Sequence, residues 1–473
     1  MNEIKHQNLK KIFEKWADEK VTKFVPLPPS GSYREYYRIK GKTKLAIGAF
    51  NPDRKENVAF LTFSKHFIKK GLNVPKIYAE DLNNDIYLLE DLGDVTLFSY
   101  LVKVYKKGIF PQQLIAQYKK VIEELPKFQI LASKDLDYSV SYPRDSFDKQ
   151  SMHWDMSYFK YYFLKLAKIS FDEQNLENDF VKLIKFLLKP ERDYFLYRDF
   201  QSRNIMLVNN EPYFIDYQGG RKGALQYDLA SLLYDAKADI PQHIRNQLLD
   251  YYIEVTRKII PINEKKFKEF YYGYVLIRIM QAMGAYGFRG FYEKKEHFLK
   301  SVPYAINNLK WIIDNVELPI KIPTLWDVFS KLVRSEKLKE FGEDNNQLKV
   351  RIFSFAYKKG IPPDTAGNGG GFVFDCRALH NPGRYEQYAK LTGKHKEVIN
   401  FFEEQKNIFK YLKNVFSIID DAVDNYQKRK FTDLMVSFGC TGGQHRSVFC
   451  AEALAKHLKE KYDIKIELMH NEL

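Results

Sequence analysis

The segment from Tyr197 to Asn204 has the residue types and the spacing that phosphoryl transfer from ATP requires. Asp199 can orient and deprotonate an attacking hydroxyl group, because a carboxylate can act as a general base. Asn204 follows Asp199 after four residues, and Asp216 lies twelve residues beyond Asn204. An amide and a carboxylate at these positions can hold Mg²⁺ against nucleotide phosphates, and the four-residue gap is that of a kinase catalytic loop. We therefore predict a kinase with Asp199 as its base and Asn204 and Asp216 as metal ligands.

Short apolar runs surround these residues and predict buried strands that hold the loop rigid. They are residues 194–197, 205–208 and 213–215. The alternative interpretation is an ordinary turn, because Asp and Asn are common between strands.

Length and composition limit the remaining possibilities. A chain of 473 residues predicts two or three domains, and 45% hydrophobic residues are enough for packed cores. The apolar runs are too short to span a membrane, and the charged start of the chain makes export unlikely. The three cysteines match no disulfide framework or zinc pattern, so we expect a cytoplasmic protein. The net charge of +15 suits acidic small molecules and permits RNA binding without demonstrating it.

The pattern of apolar residues changes along the chain and predicts its domains. Residues 1–330 read as a small β-rich lobe followed by a mainly helical lobe, and 331–348 as a polar linker. Residues 349–473 alternate strands at 349–357, 372–376, 432–439 and 463–469 with long helices, which predicts a separate α/β unit. The predicted fold class is therefore α/β (α+β), with a bilobal kinase-like fold followed by a small α/β domain.

Two segments of the small lobe are candidates for ATP binding. A small-residue turn containing Ser32 and Arg34 can present donors to phosphates. Glu90 and Leu92 follow a predicted strand and could form the hinge that meets adenine. The strand Leu45–Phe50 lacks the lysine expected there, which leaves Arg34, Lys44 or another cation to hold the phosphates.

Three motifs together carry a family resemblance. They are residues 89–94, 197–204 and 216–218, followed by the Tyr-Asp-Leu-Ala-Ser-Leu-Leu run at 227–233. The combination resembles the aminoglycoside-phosphotransferase-like kinases, and within them the kinases of N-acetylmuramate and N-acetylglucosamine in cell-wall recycling. The resemblance implies ATP and Mg²⁺ as cofactors, the roles given above, and a structural acid at Asp228 that anchors the following helix. Gly219 stands where the sugar kinases often have an acid.

Cations, not acids, follow the catalytic segment. A polycationic aminoglycoside needs an acidic pocket, whereas a neutral or anionic sugar does not. Arg221, Lys222, Arg278 and Arg289 therefore favour a neutral or anionic sugar as the substrate.

A second candidate site lies near the end of the chain. An apolar strand runs into Cys440, Thr441, Gly442, Gly443, Gln444, His445, Arg446 and Ser447, and a helix follows. A glycine-containing loop between a strand and a helix directs main-chain N–H groups at one point, which suits an anion. Ser447 is the expected cap of the helix. Alternatively, the glycines only permit a tight turn.

Asp375 and Arg377, which end another predicted strand, complete this second candidate site. Together with the loop they resemble the C-terminal domain of RapZ, an RNase adapter protein. That resemblance implies a binding site for a phosphorylated amino sugar. RNA binding is an alternative that we do not favour, because residues 467–473 do not form a basic tail for RNA.

Cysteine catalysis is a further alternative for this loop. Cys440 and Arg446 have the Cys-x₅-Arg spacing of tyrosine-phosphatase-type enzymes. Gly439 stands where such enzymes have His, and no general acid is evident. We therefore expect a sugar kinase whose second domain binds a phosphorylated amino sugar.

Overall fold

The computed structural model describes residues 2–28, 34–105, 109–342, 347–366, 368–429 and 431–473. Two compact units divide the chain. One comprises Met1–Phe288 with Ser301–Lys339, and the other comprises Arg289–Lys300 with Glu340–Leu473. Residues 331–348, predicted as a linker, contain the end of one helix and the short helix Glu336–Lys339.

The first unit begins with a small lobe built on an antiparallel sheet. Its strands are β1 (Lys23–Pro26), β2 (Glu35–Lys40), β3 (Leu45–Phe50), β4 (Ile77–Asp81) and β5 (Ile86–Leu89), in the spatial order β1-β2-β3-β5-β4. Two helices accompany them, α1 (Asn2–Ala17) and α2 (Arg54–Lys69). Alternating buried residues of β2 face a core that includes Leu9 and Phe13 of α1.

Helix α2 places an aromatic stripe against the large lobe. Phe60, Phe63 and Phe67 recur at helical spacing, and each is at most 3% exposed. Phe60 stacks on Tyr217 with ring centroids 5.1 Å apart, and Phe67 contacts the edge of Phe195 at 5.2 Å. The helix is thus fixed to the catalytic half of the unit.

The large lobe is mainly helical and contains two short ribbons. The ribbons pair β6 (Tyr194–Leu196) with β9 (Arg221–Gly223), and β7 (Ile205–Val208) with β8 (Glu211–Phe214). The helices are α3 (Leu97–Val104), α4 (Gln112–Pro126), α5 (Lys149–Tyr158), α6 (Glu173–Leu187), α7 (Gln226–Leu233), α8 (Gln242–Arg257), α9 (Glu264–Gly287), α10 (Val302–Asn315), α11 (Pro323–Arg334) and α12 (Glu336–Lys339).

The second unit contains a parallel four-stranded sheet. Its strands are β10 (Lys349–Ala356), β11 (Phe372–Asp375), β12 (Asp433–Cys440) and β13 (Lys465–His470), in the order β11-β12-β10-β13. Its longer helices are α13 (Lys396–Glu403), α14 (Lys406–Lys428) and α15 (Arg446–Lys461). Apolar faces of α14 and α15 share one core with the sheet. The four strands agree with the sequence prediction to within two residues, and the α/β fold class is confirmed.

No helix among the described residues has the length and apolar character needed to cross a bilayer.

Candidate active site and second-unit loop

Strand pairing brings the predicted catalytic residues together. Residues 197–204 connect β6 to β7, and Asp216 lies between β8 and β9. Because β7 pairs with β8, the end of the loop meets the residues after β8, and the N–H of Ile215 donates to the carbonyl of Asn204 at 3.1 Å. The loop and the second carboxylate therefore share one end of both ribbons.

Asn204 joins the other two predicted residues. Its side-chain nitrogen donates to Asp216 Oδ2 at 3.2 Å and to the main-chain carbonyl of Asp199 at 2.9 Å. Asp216 also accepts a hydrogen bond from Gln218 at 2.8 Å and has a φ of +70°, a left-handed conformation that is unusual outside glycine.

Charges around Asp216 act in opposite directions. Its pKa is raised, first because the surrounding protein desolvates the carboxylate and second because Asp199 lies near. Arg34 lowers the pKa from a position 3.6 Å away. The side chain of Asp216 is still 40% exposed, so water or a ligand can reach it.

Asp228 and Asp235 hold the catalytic loop in place by accepting hydrogen bonds from it. Asp228, fully buried, accepts the main-chain N–H groups of Tyr197 at 2.8 Å and Arg198 at 3.0 Å. Asp235 accepts both the hydroxyl and the N–H of Ser202. Desolvation raises the pKa of Asp228 to about 7, although the two N–H groups lower it. Asp228, expected to anchor a helix, therefore connects α7 to the catalytic loop.

Arg198 adds a third support to the loop. Its guanidinium forms a two-pronged ion pair with Asp155 of α5 at 2.6 and 2.7 Å, and it also donates to the hydroxyl of Tyr227. Its φ is +83°, a left-handed conformation that is uncommon for a residue with a side chain. Sequence reasoning missed Asp155 and Asp235, because nothing near either residue in the chain marks its distant partner.

Cations occupy the neighbourhood of Asp199. Arg278 of α9 places Nη2 at 4.0 Å from Asp199 Oδ1, and its Nε donates to Ser231. Arg221 donates to main-chain carbonyls of Gly219 and Tyr142, and burial lowers its pKa to about 10, so it stays protonated at neutral pH.

The other two predicted cations have acidic partners. Lys222 lies 3.6 Å from Asp193, and Arg289 belongs to the second unit, where it pairs with Glu293.

The predicted nucleotide contacts are only partly described. Ser32 lies outside the described residues, whereas Arg34 is buried and pairs with Glu56 of α2 at 3.1 Å. Glu90 follows β5 and its N–H donates to the carbonyl of Lys76, and Leu92 is half-buried in the same connection.

Arg38 of β2 binds the connection that contains Glu90 and Leu92. It pairs with Asp91 at 2.6 Å and with Asp94 at 2.8 Å. The connection is thereby held against the sheet of the small lobe.

In the second unit, the loop from β12 to α15 surrounds the sulfur of Cys440. The N–H of Gly443 and the hydroxyl of Ser447 each lie 3.2 Å from the sulfur. Gly443 has a φ of +70°, and a side chain there would meet Glu472. The predicted helix cap at Ser447 is wrong, because α15 begins at Arg446 and Ser447 lies within its first turn.

Arg446 connects this loop to the end of β11. Its Nη1 donates to the carbonyls of Arg377 at 2.9 Å and Leu379 at 3.1 Å, and its Nη2 donates to Thr441. The Arg377 side chain pairs with Asp375, which lowers the pKa of that carboxyl, and the charge of Arg446 lowers it further.

The remaining loop residues pack against neighbouring segments. His445 contacts the carbonyl of Tyr388, and the carbonyl of Gln444 accepts the N–H of Gly393. A side chain at Gly442 would meet no atom within 4 Å, so the loop is open at that position. The structure therefore brings all the predicted second-site residues together.

Comparison with known proteins decides the family. The family model described as phosphotransferase enzyme family matches residues 25–262, just over half of the chain. The chain belongs to the phosphotransferase enzyme family. A second model, the RapZ C-terminal domain, matches residues 348–473 of this phosphotransferase. The resemblances to the aminoglycoside-phosphotransferase-like kinases and to the RapZ C-terminal domain are thus confirmed.

Curated relatives of the phosphotransferase match through a limited stretch. A nucleotide-binding protein of Xylella fastidiosa (strain 9a5c) is 36% identical over 129 residues, which is 27% of this chain and 43% of the relative. One from Pseudothermotoga lettingae is 34% identical over 132 residues, 28% of this chain and 46% of the relative. The phosphotransferase therefore spans less than half the length of these relatives.

Solved kinases show a distant likeness. Choline kinase from Cryptosporidium parvum Iowa II aligns with a TM-score of 0.47 and 12% identity over 70% of this chain and 100% of its own. Choline kinase LicA from Streptococcus pneumoniae aligns with a TM-score of 0.43 and 17% identity, over 65% of this chain and 99% of its own.

Proposed function

We propose that this phosphotransferase is an ATP-dependent kinase of an amino sugar of the N-acetylmuramate or N-acetylglucosamine type. The observation that carries the proposal is the hydrogen bonding of Asn204, whose amide links the carboxylate of Asp216 to the main chain of Asp199. The residues that we propose as the general base and the two metal ligands thus lie in one cluster, which is the arrangement that phosphoryl transfer requires.

The residues present fit a magnesium ion. Among the described residues, no group of three or more His, Cys, Asp or Glu side chains is arranged to hold a metal ion. Mg²⁺ does not need such a group, because it usually takes one or two protein ligands together with phosphates and water. The exposed carboxylate of Asp216 and the amide oxygen of Asn204 would hold it. When bound, Mg²⁺ would neutralise charge on the phosphates.

In the proposed reaction, the oxygen of the acceptor hydroxyl attacks the terminal phosphorus of ATP, and Asp199 accepts the proton of that hydroxyl. ADP leaves, and the phosphoryl group becomes a phosphate ester of the sugar. Arg278, whose Nη2 lies 4.0 Å from the Asp199 carboxylate, would place a positive charge near the attacking oxygen and the transferred group. Adenine would lie against the connection that contains Glu90 and Leu92.

The charges around the base favour a neutral or anionic acceptor. Arg278 and Arg221 are both at least nine-tenths buried and both lie on the acceptor side of Asp199 in our proposal. A polycationic aminoglycoside would meet these charges unfavourably, whereas a sugar with a carboxylate, such as a muramic acid, would be attracted.

For the second unit, we propose that the loop Cys440–Ser447 binds a phosphorylated amino sugar. Support comes from the main-chain N–H groups before α15 and from the open position at Gly442. A phosphatase would need the guanidinium of Arg446 to grip the phosphate. Because that guanidinium donates to the carbonyls of Arg377 and Leu379, we favour binding over cysteine catalysis.

We further propose a cytoplasmic enzyme of cell-wall amino-sugar recycling. Its three cysteines are free and buried, which suits a reducing compartment.

An ADP-release screen tests the kinase proposal. The acceptors are N-acetylmuramate, N-acetylglucosamine, glucosamine and an aminoglycoside, and phosphorus NMR identifies the product. Asp199→Asn should lower turnover about 10²- to 10⁴-fold, as expected for the loss of a general base. The control is Asp250→Asn, at a surface carboxylate that pairs with Lys268 and is 60% exposed. Full turnover by Asp199→Asn would refute the assignment of the base.

Binding measurements test the second unit. Calorimetry with glucosamine-6-phosphate, glucosamine and inorganic phosphate should show binding of the phosphorylated sugar. Binding of structured RNA that weakens steeply with salt would instead favour the RNA-adapter alternative. Phosphate release from an aryl phosphate that Cys440→Ser abolishes would favour the phosphatase.

A further inference from the structure

The cation expected to grip the nucleotide phosphates is missing from its usual strand. In kinases a lysine on the third strand contacts the phosphates and pairs with a glutamate of the following helix. Here β3 reads Leu-Ala-Ile-Gly-Ala-Phe and carries no cation. Lys44 precedes β3 but lies in the turn between β2 and β3, with its ammonium over the ring of Trp16.

Arg34, which directly precedes β2, makes the contacts expected of that lysine. Its Nη2 lies 3.1 Å from Glu56 of α2, and its Nη1 lies 3.6 Å from Asp216. The guanidinium also contacts the hydroxyl of Tyr36 at 3.3 Å and lies over the ring of Phe60. One side chain thus connects the helix, the sheet and the proposed metal ligand.

Arg34 and Lys44, the two candidate cations, lie too far apart to contact the same phosphates. Arg34 and Lys44 lie at opposite ends of the β2–β3 hairpin, and the six residues of β2 between them span roughly 20 Å at the rise of a strand. Only the Arg34 end of the hairpin meets Asp216, so Lys44 cannot reach phosphates bound beside that carboxylate.

Neighbouring residues fix Glu56 in the position where it pairs with Arg34. It lies in the first turn of α2, where Asp53 caps the helix by accepting the N–H groups of residues 55 and 56. The same carboxylate of Glu56 accepts a hydrogen bond from Asn51 at 3.1 Å, which fixes its direction. Arg34 is only 3% exposed, whereas the side chain of Glu56 is 35% exposed, so solvent reaches this ion pair from the side of the glutamate.

We infer that Arg34 replaces the third-strand lysine as the phosphate clamp of this enzyme, with Glu56 as its positioning residue. The inference rests on the proposed kinase function and names the group that recognises its nucleotide. A planar guanidinium differs from an ammonium because it can donate two parallel hydrogen bonds to phosphate oxygens. Lysine at position 34 should therefore substitute poorly.

Nucleotide binding tests this inference without knowledge of the acceptor. Calorimetry would compare the magnesium complex of AMP-PNP with adenosine for the full-length protein and for Arg34→Gln, Arg34→Lys, Glu56→Gln and Glu56→Asp. Arg34→Gln should weaken AMP-PNP binding about 10- to 100-fold, the range for a lost charge-assisted hydrogen bond, and leave adenosine binding unchanged. Arg34→Lys should recover only part of the loss. Lys44→Gln is the matched control and should bind both ligands as the unmodified protein does.

The positioning role of Glu56 is tested by comparing its variants for AMP-PNP and adenosine affinity. Glu56→Gln should weaken AMP-PNP but not adenosine, and Glu56→Asp should recover part of the affinity. A purely structural role would change the affinity for both ligands together.

Two results would overturn the inference in different ways. Unchanged AMP-PNP affinity in Arg34→Gln and Arg34→Lys, both folded by circular dichroism, would refute the clamp while the kinase proposal stands. Failure of the unmodified protein to bind either ligand would refute the kinase proposal and the clamp with it.

Discussion

Replacing Asp228 by asparagine tests how the catalytic loop is held. The carboxylate accepts main-chain N–H groups of Tyr197 and Arg198 and a side-chain N–H of Gln129 at 3.2 Å. An asparagine has one acceptor oxygen, so at least one of these donors would face an amide NH₂ group. A hydrogen bond to a charged group contributes about 1.5–3 kcal/mol to stability. Loss of one such bond should displace the catalytic loop at Tyr197 or Arg198, directly before Asp199.

The same substitution removes a buried charge, which gives the experiment a pH signature. The pKa of Asp228 is raised from 3.8 to about 7 in the folded protein. Because the folded state binds this proton more tightly than the unfolded state, the contribution to stability is present below pH 4 and is lost as the pH rises through 7. One pKa unit corresponds to about 1.4 kcal/mol, so this contribution should fall by about 3 kcal/mol between pH 5 and pH 8.

Urea unfolding at pH 5, 6, 7 and 8 measures both effects. The unmodified protein should lose more stability than Asp228→Asn across this range, with the difference changing by about 3 kcal/mol. At pH 8 the variant should also show a turnover lower by about 10²-fold, because a small displacement of a catalytic group is enough for such a loss. Parallel stability curves for the two proteins would refute the reasoning, since they would mean that Asp228 does not titrate in this range.

Three further substitutions test other supports. Asp235→Ala should cost about 1–3 kcal/mol in urea unfolding, because it leaves the buried hydroxyl and N–H of Ser202 without their acceptor. Arg351→Met should lower the free energy of unfolding by about 3–5 kcal/mol, because it leaves the carboxylates of Asp364 and Asp433, 4% and 17% exposed, without their partner. Hydrogen exchange of β10 and β12 should then accelerate. Gly443→Ala should destabilise the second unit by about 1–3 kcal/mol through its positive φ and its contact with a neighbouring side chain, whereas Gly442→Ala, where space is open, should not. Equal thermal melting of the two alanine variants would contradict the last expectation.

The local part of the catalytic site was predictable from the sequence. Short apolar runs identified the strands around Asp199, and the spacing of Asn204 and Asp216 indicated that they would meet. Both relations are short in sequence, so a hairpin brings them together without help from distant residues. The two central strands of the second unit, β10 and β12, were predictable for a related reason, because parallel strands buried on both faces appear as largely apolar runs.

The supports of the loop were not predictable from one sequence. Asp155 is 43 residues from Arg198, and Asp235 is 33 residues from Ser202. Each is one acid among 60 Asp and Glu residues, and no local pattern distinguishes it. The pairing of Arg34 with Glu56 was equally hidden, because it depends on how α2 packs over the sheet. From the sequence alone, Arg34, Lys44 and other cations were all candidates to bind the nucleotide phosphates.

The aromatic stripe of α2 has a consequence for control of the enzyme. Swinging this helix outward would expose three buried phenylalanines, Phe60, Phe63 and Phe67, at about 1.5–3 kcal/mol each, and would break the hydrogen bond between Ser64 and Tyr217. Such a motion is far too costly to serve as an on–off mechanism. The packing of α2 therefore holds Glu56 beside Arg34, and we expect the rate of phosphorylation to follow the supply of nucleotide and acceptor rather than a movement of this helix.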